Sequence, residues 1–90
     1  MSGKPLAIHN LLMMSDRLAL CARALAGDPE QLDAEIRQVI LEARLMVVNY
    51  DLTALHPSLC IAESLLLLKR PAEALAVIHS AARHSARGGN

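Results

Sequence analysis

Residues 55–82, LHPSLCIAESLLLLKRPAEALAVIHSAA, decide the fold. They read as two helices meeting at a tight Lys69-Arg70-Pro71 corner. In the first, from about Pro57 to Leu68, only Ser58, Glu63 and Ser64 interrupt an apolar surface. A helix with so little polar surface is normally sandwiched between neighbours. The second opens on Pro71, at a position where the missing N–H costs nothing. Its Ala74, Leu75, Ile78, Ala81 and Ala82 recur at spacings of three and four, as a helix with one packed face requires. Small residues on that stripe let two helix axes come close.

Working outward, the composition agrees with an all-helical chain. Hydrophobic residues make up 53% of the sequence, yet Tyr50 is the single aromatic. Burial therefore falls to Leu, Ala, Ile, Val and Met, a helix-forming palette. Ninety residues are enough for one domain.

Before the hairpin, the Gly27-Asp28-Pro29 stretch is the clearest punctuation. Glycine closes one helix in a left-handed conformation, aspartate caps the next, and proline takes its first position. Gln31 completes a capping box with Asp28. The first helix is predicted over residues 5–26, with Leu11, Met14, Leu18, Cys21 and Leu25 as its packing seam. Met13, Leu20 and Ala24 widen the apolar surface. The Met13-Met14 pair reads first as core filling and second as an adaptable binding surface.

The second helix is predicted over residues 29–50. Leu32, Ile36, Val39, Ala43, Met46 and Tyr50 form its inward stripe, and Asp33 with Arg37 forms an i,i+4 ion pair. Its two halves differ. Up to Gln38 it is conventionally amphipathic, but from Val39 to Val48, VILEARLMVV, apolar side chains occupy every face. Leu41 and Val48 share an angular stripe with Glu30, Arg37 and Arg44, where solvent is expected. Either the third and fourth helices cover that half, or a partner does. Burial is worth roughly 25 cal/mol per Å², so leaving several such residues wet forgoes several kcal/mol. Residues 51–56 form a linker, helices follow over 57–69 and 71–86, and 87–90 read as a flexible tail. Arg83 and Arg87 suit a helix carboxyl end.

The hairpin resembles a tetratricopeptide repeat, whose pattern is a large apolar residue-x2-Leu-Gly-x2-Tyr, then Ala-x3-Phe and a further small residue. Ile61 stands at the Leu position, Ala62 at the Gly, Leu65 at the Tyr, Ala74 at the first Ala, Ile78 at the Phe and Ala81 at the final small residue. The chain departs from the pattern at Ser58, where an aromatic is usual, at Lys69 in place of the turn glycine, and at Ala86. No second copy stands about 34 residues upstream, so the first two helices must supply the remaining wall. More narrowly, Leu59-Cys60-Ile61-Ala62-Glu63, Leu65 and Glu73-Ala74 are similar to the opening hairpin of small tetratricopeptide-like chaperones of type III secretion. Members of that family grip an amphipathic helix of an aggregation-prone needle subunit. The longer amino-terminal half here departs from that family.

Chemistry-bearing residues are sparse. His9 and His56 lie apart from the rest, His79 and His84 are five apart and diverge around one helix, and no His-x3-His spacing occurs, so no metal site is predicted. Cys21 and Cys60 lack C-x-x-C spacing and read as small, reduced core residues, a single disulfide between them being the alternative, and Cys60 has no obvious base beside it. Glu63 reads first as an exposed edge residue, and otherwise as a polar anchor for a partner or a pair for Lys69, Arg70 or Arg83. No phosphate loop is present, and no cofactor is predicted. Nine basic and nine acidic residues cancel, which disfavours nucleic acid as a partner. No uncharged run reaches the roughly 18 residues of a membrane span. No signal peptide is read, and a cytoplasmic location is expected.

The sequence thus predicts an all-α single domain of four helices in antiparallel hairpins, the last pair tetratricopeptide-like. The leading expectation is a non-enzymatic adaptor or chaperone that holds a partner's amphipathic helix on Leu41, Leu45, Val48, Leu66 and Leu67. The alternative is a structural subunit that self-associates through the same surface as a homodimer.

Overall fold

The structure, a computed structural model, describes residues 4–25 and 27–89. It holds four α-helices: α1 (Lys4–Ala22), α2 (Pro29–Tyr50), α3 (His56–Leu67) and α4 (Pro71–His84). Among the described residues there is no strand. Each helix packs on the next, and α4 also returns to α1 and α2, closing a four-helix domain.

The predicted bounds hold to within a few residues, and each difference has a local cause. The first helix stops at Ala22 and not near residue 26, which lies outside the described residues. Asp28 precedes a proline and is kept out of helical geometry, so the chain loosens ahead of it. Leu25 still donates to the Cys21 carbonyl at 3.0 Å, and Asp28 donates to Leu25 at 2.8 Å. Asp28 then caps α2: its Oδ1 accepts from the Gln31 backbone N–H at 3.2 Å. The Gln31 side chain does not complete the box, because it donates to Glu35 at 3.1 Å. Arg37 and Asp33 pair at 2.6 Å, as the spacing predicts.

Two helices end on left-handed residues that are not glycine, Asp51 (φ 56°) and Lys69 (φ 63°). At Lys69 the corner is a Schellman motif, with Lys69 N–H donating to Leu66 and Arg70 N–H to Leu65. This stops α3 at Leu67, two residues before its predicted end. The fourth helix gives way after His84 to a π-helical turn, Ser85–Gly89, which packs on α1. The expected tail from Arg87 therefore continues the helical path as far as Gly89, and Asn90 lies outside the described residues.

The core is aliphatic and runs the length of the domain. Ile36, Ala43, Ala62, Ala74 and Ala82 are wholly buried, with Leu11, Leu59, Leu66 and Ile78 nearly so. Alanines at these contacts let the helices of the α3–α4 hairpin and its neighbours approach closely, and the leucines and isoleucines fill between them. The linker contributes too. Leu52, which precedes a 3-10 turn at Thr53–Leu55, and Leu55, which ends it, are both buried.

The seam of α1 is rotated from the predicted one. The buried residues are Ala7, Ile8, Leu11, Ser15 and Leu18, while Met14 and Leu25 are half-buried and Cys21 is exposed. Ser15 can face the core because its hydroxyl donates to the Leu12 carbonyl at 2.9 Å, leaving no polar atom unpaired. Its small volume also suits a helix contact. Tyr50, predicted on the inward stripe of α2, is exposed at the helix end, one residue before the chain turns at Asp51.

Candidate protein-binding face

The far half of α2 presents two opposed apolar surfaces. Val39, Ile40 and Ala43 are buried against the domain. On the other side, Leu41 and Leu45 remain 55% exposed and Val48 80%. These three stand at i, i+4 and i+7, so they form one outward strip of a straight helix. Packing α3 against α2 has covered one side of this segment and left the other open.

The strip is continued by α3. Leu67 is 74% exposed, whereas Leu66 is 1% exposed. Of the five residues predicted to contact a partner, four therefore lie on the surface and Leu66 does not. Leu66 falls on the Leu59–Ala62 stripe of α3, at i+7 and i+4, and is committed to the core. Ile61 on the same helix and Leu68 just past its end, both exposed, were not among the predicted residues. The polar identity of the surrounding residues gives no warning of their exposure. Only the angular position relative to Leu59 and Leu66 does.

Between the strips lies an ion pair that spacing within one helix does not reveal. Arg44 of α2 donates to Glu63 of α3, both groups partly exposed. Glu63 thus pairs with neither Lys69, Arg70 nor Arg83, and it is tied to a neighbouring helix. The contact holds the Arg44 guanidinium more firmly in its charged form, through Glu63 first and Cys60 second. In the antiparallel register that this pair sets, Leu67 falls near the level of Leu41, and Cys60 near Val48. The result is an aliphatic surface with one charged link across its middle.

The predicted core cysteines are both exposed. Cys21 borders a cleft of about 480 Å³ between α1 and α2, floored by Met14, Leu18, Leu25 and Val39. Cys60 lies in the second turn of α3, with its Sγ 3.6 Å from His56 Nε2. The base one turn upstream was legible as His56-x3-Cys60 once both were placed on one helix. His79 of α4 is hydrogen-bonded to Asp16 of α1, linking the first and last helices. Among the described residues no three His, Cys, Asp or Glu side chains converge as a metal site would require. No helix among them is long and apolar enough to cross a membrane.

Fold and surface together define an all-α helical domain with an open aliphatic face. Compared with protein-family models, curated proteins and solved structures, the chain matches none.

Proposed function

We propose that this chain is a non-enzymatic protein-binding module, an adaptor or chaperone, that takes an amphipathic helix of a partner on the α2–α3 face. The observation that carries the reading is the exposure of Leu41, Leu45, Val48 and Leu67 beside a core that is already closed. An amphipathic helix laid on that strip removes its own apolar side and these residues from water together, at roughly 25 cal/mol per Å². Arg44 and Glu63 sit where they would set the orientation of the incoming helix. The resemblance of the α3–α4 hairpin to tetratricopeptide chaperones points the same way, and a secreted helical subunit is one cargo of that chemistry.

The test compares the wild-type chain with a Leu45→Glu/Val48→Glu double variant. Circular dichroism is expected to be unchanged, because both side chains already face water. A helical partner that co-purifies with the wild type is expected to bind the variant at least about tenfold more weakly, the scale of losing two apolar anchors. Light scattering adds the other arm. A wild-type dimer that the double variant dissolves assigns the face to a second copy of the chain. A monomer whose bound proteins do not change with the variant removes the proposal.

A further inference from the structure

The two thiols of this chain differ in what stands beside them. Both are exposed, so access does not separate them. Cys21 has Arg17 one turn before it on α1 and Leu25 four residues on, just past the helix end, with no imidazole at either position. Cys60 has His56 Nε2 at 3.6 Å from its sulfur. Two charged groups stand near it on different elements: the Arg44 guanidinium of α2, which interacts with Cys60, and the Glu63 carboxylate, three residues on along α3 and bonded to Arg44.

We propose that Cys60 is a thiol–disulfide exchange site, at which His56 receives the thiol proton as the sulfur attacks a low-molecular-weight disulfide. The Sγ–H proton passes to His56 Nε2, and the sulfur electron pair forms a new S–S bond with one sulfur of the small disulfide. The original S–S bond breaks onto the second sulfur, and that thiolate recovers the proton from the imidazolium. One disulfide is consumed, and one mixed disulfide and one free thiol are made. The small disulfide is itself the oxidant. The thiolate is the attacking species, so a neighbouring cation assists it and a neighbouring carboxylate opposes it. Removing Arg44 and removing Glu63 are therefore expected to change the exchange rate in opposite directions. The exchange is measured on the chain alone, so its outcome and that of the binding proposal for the α2–α3 face are read separately.

The full-length chain is incubated with oxidised glutathione at neutral pH, quenched with acid and mapped by mass spectrometry. Mixed disulfide at Cys60 and at Cys21 is then followed in the same molecule. Cys60 is expected to react about tenfold faster than Cys21. His56→Asn is expected to bring Cys60 down to the rate of Cys21, Arg44→Gln to slow it, and Glu63→Gln to speed it, each leaving Cys21 unchanged. A repeat with neutral hydroxyethyl disulfide keeps the ratio if the imidazole is its source, and loses it if glutathione's negative charge is merely drawn to Arg44. Equal rates at the two wild-type sulfurs, a ratio lost with the neutral disulfide, or a His56→Asn chain with an unchanged ratio would overturn the proposal. The wild-type ratio is read on the folded chain, so a poorly folding variant does not weaken the test.

Discussion

The two halves of α2 belong to one continuous helix and have opposite habits. From Asp28 to Gln38 the helix buries Leu32 and Ile36 and keeps its other contacts polar and local, with Gln31 on Glu35 and Arg37 on Asp33. From Val39 to Tyr50 it buries Val39, Ile40 and Ala43, yet it also turns Leu41, Leu45 and Val48 outward. Its one strong polar contact there leaves the helix altogether, from Arg44 to Glu63 on α3. A helix can pack only one side of itself into a small domain. The first half has apolar residues for that side alone, and the second half has enough for two sides. Hydrophobicity by itself therefore does not mark a residue of this helix as structural. Its angle does.

The largest effect that sharpens this contrast is in the core. Ile36 is wholly buried, so Ile36→Ala removes three carbons' worth of packing and leaves a cavity, at a cost of about 2–4 kcal/mol. Val48→Ala, in the other half, is expected to fall within about 0.5 kcal/mol of wild type, since its side chain already meets water. Urea denaturation of both variants checks the pair. Equal losses at the two positions would mean that the outer strip is covered, and the contrast would fail.

Much of this arrangement was legible in the residues, and the parts that were not share one cause. Gly27-Asp28-Pro29 and Lys69-Arg70-Pro71 mark their turns through backbone chemistry that acts locally, so the helix order could be read directly. The Ala62, Ala74, Ile78 and Ala82 contacts follow from the stripes of α3 and α4. Which aliphatic residues stay outside does not follow. The α3 helix is apolar nearly all round, so its periodicity leaves Leu66 and Leu67 indistinguishable until α2 and α4 select a face. Ser15 shows the reverse case, a polar residue that enters the core by satisfying its own hydroxyl. Cys60 and Glu63 acquire their surroundings from Arg44, which is distant in sequence and on another helix. Contacts of that kind are set by tertiary packing, and no local spacing encodes them.

The two ends of α2 carry the same amino acid with opposite consequences. Asp28 accepts from the Gln31 N–H at the positive end of the helix, where a carboxylate is favoured by both the hydrogen bond and the dipole. Asp51 closes the other end in a left-handed conformation, φ 56°, which suits glycine, and it places negative charge at the negative pole. Asp28→Ala is expected to lower stability by about 1 kcal/mol. Asp51→Gly is expected to raise it by about 0.5 kcal/mol, relief of the left-handed strain outweighing the added freedom of the unfolded chain. Thermal unfolding followed by circular dichroism separates the two, and a loss in both variants would overturn the account of the Asp51 end.

The smallest expected effect concerns the charged link across the open face. Arg44 and Glu63 are both partly exposed, so their attraction is screened by water and the side chains lose freedom in meeting. A pair of this kind contributes about 0.2–1 kcal/mol. Arg44→Ala should therefore cost no more than that at low ionic strength, and about half as much or less in 1 M salt, where the screening length shrinks to roughly 3 Å. Glu63→Gln should match it, and the double variant should add little to either alone, because each substitution already removes the shared contact. By contrast, the Ile36→Ala loss is a packing term, and salt is expected to leave it nearly unchanged. If the Arg44→Ala cost were large and insensitive to salt, the guanidinium stem would be acting as packing for the outward strip, and the second half of α2 would be less open than its exposed leucines indicate.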